Sequence, residues 1–120
     1  MKRLMMITAL MAVCALSAFT FSEKGIFDTG LRITVIDELG NPVEGATVKI
    51  FANEKDYRAG ENLVQEPQTS DEKGRVTFKD LESKVYFVDA RKGDMNNNSA
   101  GVQTDKLKEK RLNKVNIVIE

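Results

Sequence analysis

Residues 31–48 read LRITVIDELGNPVEGATV, and that stretch decides the fold. Leu31, Ile33 and Val35 alternate with Arg32 and Thr34, the two-residue period of a strand with one buried face. Gly40-Asn41-Pro42 ends the run, because proline has no N–H for a ladder and glycine tolerates positive φ. A second strand follows from Gly45, with Ala46, Val48 and Ile50 on one face and Thr47, Lys49 and Phe51 on the other. Downstream, residues 69–93 read TSDEKGRVTFKDLESKVYFVDARKG. Here Asp71-Glu72-Lys73-Gly74 is a hairpin-type turn, Val76 and Phe78 are the inward pair of the next strand, and Leu81 plugs the core at a crossover. Val85–Ala90 is the most apolar run and hence a central strand, with Tyr86, Val88 and Ala90 on one face; Val115, Ile117 and Ile119 form a closing strand. Several short strands separated by turn signals predict an all-β sandwich rather than a barrel or an α/β fold.

Between these strands the pattern weakens. Residues 53–70 contain Gly60, Pro67 and many charges, with Leu63-Val64 as a short strand in an excursion around one edge of the sandwich. Residues 93–101 form a polar loop rich in asparagine. No contiguous helix is expected outside Thr104–Leu112, where Leu107 and Arg111 are too sparse to bury a face.

Residues 1–22 read as a secretory signal peptide: Lys2 and Arg3 precede an apolar stretch from Leu4 to Ala18 that ends among small residues. Cleavage after Ser17, Ala18, Thr20 or Ser22 fits equally well, and a retained membrane anchor is the rival reading. Cys14, the single cysteine, lies inside this segment; lipidation there would want a small residue before it, and that residue is Val13. Ordinary cleavage leaves residues 23–120 as one domain without cysteine, held by its apolar core alone. The chain carries 18 basic and 18 acidic residues, or 16 against 18 without Lys2 and Arg3, so it lacks the basic excess of a nucleic-acid binder. Lys106, Lys108, Lys110, Arg111 and Lys114 make one locally basic segment, read as a solvated loop or strand edge that discourages aggregation, or as a contact for anionic lipid or glycan.

Val35-Ile36-Asp37 and the block from Gly40 to Val48 (GNPVEGATV) resemble the opening of carboxypeptidase regulatory-like domains, the transthyretin-like (prealbumin-like) β-sandwiches. The later Asp71–Gly74 turn with Val76, Phe78, Leu81 and Tyr86–Ala90 extends the resemblance over 31–93, about two-thirds of the mature chain. It implies a small Ig-like antiparallel β-sandwich of about seven strands, of the kind found as accessory modules on exported bacterial proteins. Fold alone assigns no function. Tyr86 is then expected to fill the core beside a partner for its hydroxyl.

The chain has no histidine, which removes Ser-His-Asp and Cys-His machinery, most zinc sites and the histidine-dependent hydrolase relatives of transthyretin. Asp37, Glu38, Asp71, Glu72 and Asp80 sit at turns, where acids serve the backbone, so no catalytic residues are assigned. An internal Lys–Asn isopeptide bond, seen in related surface sandwiches, needs a lysine on the first strand; Leu31–Asp37 has none, although Asn116 and Asp89 are available. Asp94, Asn96, Asn98 and Asp105 have a calcium-like spacing without the glycine and bidentate glutamate of a calcium loop. Asn97-Asn98-Ser99 matches a glycosylation sequon. Phe51, Phe87, Ile36 and Val118 fall opposite the core face; apolar residues on both faces mean ordinary sandwich packing, burial by a second layer, or a partner surface. No cofactor or metal is expected.

The expected function is that of an exported, periplasmic or cell-surface, non-catalytic module of the bacterial envelope. It would bind another envelope protein through a sheet edge or the 93–101 loop. Carbohydrate binding is the alternative, with Tyr57 as the aromatic in an exposed loop and no tryptophan to assist it. Nucleic acid is not expected as a partner, nor is membrane unless residues 1–22 are retained or Cys14 is lipidated.

Overall fold

The computed structural model describes residues 28–120. The signal-peptide reading of 1–22 and the candidate lipidation at Cys14 lie outside the described residues. Seven strands, β1 (Gly30–Ile36), β2 (Thr47–Phe51), β3 (Gln68–Thr69), β4 (Arg75–Phe78), β5 (Phe87–Lys92), β6 (Met95–Asn96) and β7 (Leu112–Val118), form two sheets, with one short helix, α1 (Glu54–Ala59), between β2 and β3. One sheet has the order β4-β1-β7 and the other β3-β2-β5-β6. The architecture is the expected Ig-like β-sandwich. One pairing departs from the antiparallel pattern: β1 and β7, first and last in sequence, run parallel from Gly30↔Leu112 to Ile36↔Val118.

The alternation read in the sequence sets which face is buried. Leu31, Ile33 and Val35 of β1, Val48 and Ile50 of β2, Phe78 of β4, and Val88 and Ala90 of β5 have no exposed surface, and Val76 and Ile117 have little. Leu81 and Ile119 close the core at its ends. Leu107, lone in an irregular segment, is also a core residue; residues 104–111 form no helix.

Two turns with the same Asp-Glu-X-Gly sequence stand side by side at one end. In each, the aspartate carboxylate accepts from the backbone N–H two and four residues on: Asp37 Oδ1 from Leu39 and Asn41 (both 2.9 Å), Asp71 Oδ1 from Lys73 (2.8 Å) and Arg75 (3.0 Å). Gly40 (φ 86°) and Gly74 (φ 78°) take the left-handed position in each. Ser70 then secures the block after the first turn: its hydroxyl donates to Val43 O (2.6 Å) and accepts from Ala46 N (2.9 Å).

The bonds from Arg75 and Lys73 hold the Asp71 carboxyl below its ordinary range. A depressed folded value means stabilisation that is complete above the unfolded value near 3.8 and lost as pH falls through the folded one. Glu38 acts in the opposite sense: a hydrogen bond shared with Glu120, and that neighbour's charge, raise its carboxyl. Asp71→Asn is therefore expected to melt below the wild type at neutral pH, with the gap closing on acidification toward pH 3; melting curves across that range test it.

Tyr86 caps the other side of the core as a tyrosine corner. Its hydroxyl donates to Glu82 O (3.2 Å) and accepts from Glu82 N (3.1 Å). Burial raises this hydroxyl's pKa, so it remains a donor throughout the neutral range. Tyr86→Phe is expected to cost about 1–2 kcal/mol in denaturant unfolding, the value of a part-buried hydrogen-bonded pair.

Candidate functional site

Helix α1 explains the sequence's doubly apolar strand β2. Asn53 caps it, its Oδ1 accepting from Asp56 N (2.8 Å), and Gly60 ends it at φ 69°. The helix covers the outer face of the β2–β5 pair. Phe51, on the face opposite the core, is 1 % exposed because Tyr57 packs edge-on against it at 5.9 Å, and Phe87 meets the same ring at 6.2 Å: of the readings for these residues, the second layer holds. Tyr57 thus belongs to a small second layer rather than a loop. Its hydroxyl donates to Asn98 Oδ1 (2.9 Å), and burial, followed by the Asp89 charge, raises its pKa. Leu63-Val64 forms no strand; the short strand of this excursion is β3, paired with β2 at Thr47↔Thr69.

Beside the helix, the outer face of the same sheet carries a polar trough. A groove of about 490 Å³ runs from Tyr57 and Asn98 to Lys49, Asp89 and Arg91, and a second of about 350 Å³ continues along Thr47 and Lys92. Arg91 Nε donates to Asp89 Oδ1 at 2.9 Å, and Lys92 Nζ donates to Glu44 O at 2.6 Å. Arg91 and Asp89 pair as ions, while Lys92 is held by a backbone carbonyl. Of the trough's carboxylates, Glu54 bonds Arg58 and Asp89 bonds Arg91.

The polar loop has a different centre from the one its spacing indicated. Asn97, with no exposed surface, is its organiser: Nδ2 donates to Val88 O (2.9 Å) and Gly101 O (3.0 Å), and Oδ1 accepts from Ala90 N (2.9 Å). Burial withdraws that asparagine, the first residue of the sequon, from glycosylation in the folded protein. The calcium-like set does not converge, since Asn96 Oδ1 accepts from Asn98 N (3.0 Å) and Asn98 Oδ1 takes the Tyr57 hydroxyl. No cluster of three or more acidic, cysteine or histidine residues suited to a metal occurs among the described residues. Nothing in the sequence marked Asn97 as a structural residue apart from its two asparagine neighbours, Asn96 and Asn98; only its contact with β5 does.

The isopeptide components are also apart. The inward positions of β1 are Leu31, Ile33 and Val35; Asn116 is exposed opposite Thr34, and Asp89 lies on the outer face of the other sheet.

The sheet edges differ sharply. Along β4 the outward backbone groups are taken: Arg75 by Asp71, Thr77 O and N by the Gln68 side-chain amide (2.7 and 3.3 Å), and Lys79 O by Gln65 (2.6 Å). On the second sheet, β3 and β6 are two residues each, and the Asn96 backbone exchanges both bonds with Glu120. Strand β7 is seven residues long and borders a groove of about 300 Å³ lined by Lys106, Lys108, Arg111, Lys114, Leu112 and Val115.

No family model matches the chain, and no curated protein sequence matches it. Solved structures do share its fold. The Streptococcal ancillary pilin superposes with a TM-score of 0.58 at 16% identity, over 78% of this chain and 32% of the pilin. BcpA, the major pilin subunit of Bacillus cereus, gives 0.50 at 18% identity, over 78% of this chain and 30% of that one. The group B streptococcus pilus 2b backbone protein gives 0.50 at 13% identity, over 77% and 40%. The chain thus spans a third or so of the length of these pilins, and at such identities the likeness establishes the β-sandwich fold.

Proposed function

We propose that the protein is exported and serves as a non-catalytic structural β-sandwich of a bacterial surface or envelope assembly, held to another envelope protein. The observation that carries this reading is the likeness of its sandwich to domains of pilus subunits. The absence of histidine and the pairing of Asp89 with Arg91 in the trough support it. Residues 1–22 are then the export signal and 23–120 the working domain. Among the described residues no helix is long and apolar enough to cross a membrane. Within the sandwiches we assign the chain to the carboxypeptidase regulatory-like group on the Gly40–Val48 block. That block turns at Gly40 (φ 86°), bridges Pro42 to Ile36 and turns again at Gly45 (φ 84°). The Tyr57 ring, committed to Phe51 and Phe87, argues against sugar stacking.

The test is cell fractionation with in-cell crosslinking and N-terminal sequencing of the recovered protein. Recovery from the envelope, processed after one of residues 17–22 and crosslinked to another envelope protein, is the expected result. An unprocessed protein in the cytosol would overturn the reading.

A further inference from the structure

The parallel ladder between β1 and β7 fixes which way each β7 backbone group points. Gly30 N donates to Arg111 O (3.0 Å) at one end, and Ile119 N donates to Ile36 O (2.9 Å) at the other. In a parallel pair alternate residues give both N–H and C=O to the same neighbour. With the register Gly30↔Leu112 to Ile36↔Val118, Asn113, Val115, Ile117 and Ile119 face β1, and Lys114, Asn116 and Val118 face away. Among the described residues nothing pairs with those three. The contrast with β4, whose outward groups are bonded one by one to side chains and turn backbone, isolates β7 as the long open edge.

We propose that this edge accepts an extended, acidic segment of a partner polypeptide as an added strand, a deepening that rests on the envelope-assembly reading above. Charge complementarity names the occupant. Lys106, Lys108, Arg111 and Lys114 line the groove beside the edge against one acid, Asp105. Leu112 is 39% exposed at its start, and Val115, on the inner face, is only partly covered. An incoming strand therefore sets acidic side chains beside Lys114 on the outer face and apolar ones beside Val115 on the inner face, while its backbone bonds Lys114, Asn116 and Val118. The lysines that discourage pairing with a second copy of this basic edge favour an acidic strand.

The probe is a short synthetic peptide alternating valine and glutamate, titrated into the purified protein and followed by backbone amide NMR and hydrogen exchange. Saturable binding is expected, with new protection at Lys114, Asn116 and Val118, weakened by salt and absent for the valine–lysine counterpart. Asn116→Pro removes one outward N–H and leaves the β1 ladder intact; it should weaken binding about tenfold or more. Lys114→Glu keeps the amide and reverses the charge, and it serves if the proline variant does not fold. Lack of binding, protection confined to the Lys49–Arg91 trough, or unchanged affinity in a folded variant would overturn the proposal. In the in-cell crosslinking experiment, partner capture that survives both substitutions sinks the edge and leaves the assembly reading standing. Absence of any partner for the wild type sinks the assembly reading itself.

Discussion

Gly74→Ala is expected to destabilise the protein by about 3 kcal/mol or more and to lower its melting temperature by roughly 15 °C or more. A Cβ at Gly74 would stand 2.6 Å from Val35 O and 3.1 Å from Val43 N. Both are backbone atoms, and Gly74 O itself accepts from Val35 N at 2.7 Å, so the neighbour cannot retreat without breaking a bond. The φ of 78° adds the ordinary penalty of a left-handed L residue. Gly40→Ala is the internal control. It occupies the same place in the twin turn, at φ 86°, yet nothing lies within 4 Å of its Cβ. It should cost only about 1–2 kcal/mol. Parallel urea titrations of the two variants separate clash from backbone strain; equal losses would show that the close packing of the two turns contributes nothing.

Asn97→Ala is expected to cost about 2–4 kcal/mol, a large effect for an amide in a polar loop. The substitution leaves Ala90 N without its acceptor and Val88 O and Gly101 O without their donor, all beneath a side chain with no exposure. Asn98→Ala, next along the chain, loses only an exposed contact with the Tyr57 hydroxyl and should cost under about 1 kcal/mol. Denaturant unfolding ranks the two. A reversed order would mean that the loop is held from Tyr57 and not from β5.

The contrast between these adjacent asparagines marks where sequence reading stops. Alternation in Leu31–Val35, Ala46–Ile50 and Tyr86–Ala90 disclosed which side chains form the core, because a strand's period of two is a local property. The same alternation carries no direction, so the parallel pairing of β1 with β7 was hidden in it. Helix α1 had its terminal signals in the sequence, Asn53 before and Gly60 after, with Glu54 and Asp56 in the first turn and Arg58 in the last. It escaped notice because a six-residue helix lying on a sheet needs one apolar contact, here Tyr57, and shows no repeating stripe. Leu107 hid for the same reason: one apolar residue among lysines has no period, yet it lies in the core. The candidate edge was legible only as a basic segment, since which N–H groups point outward depends on the partner strand's direction.

Parallel alignment of the first and last strands also determines how the domain answers to a pulling force. The upstream end of β1 and the downstream end of β7 lie at opposite ends of their shared ladder. Tension entering through residue 28 and leaving through residue 120 drives the two strands past each other lengthwise. The bonds from Gly30–Arg111 to Ile36–Ile119 then bear the load together in shear, whereas an antiparallel terminal pair would peel apart one bond at a time. With apolar side chains at the inward positions of β1 in place of a covalent crosslink, that ladder is the long terminal element set to bear load in shear, beside the Asn96–Glu120 bonds to the other sheet.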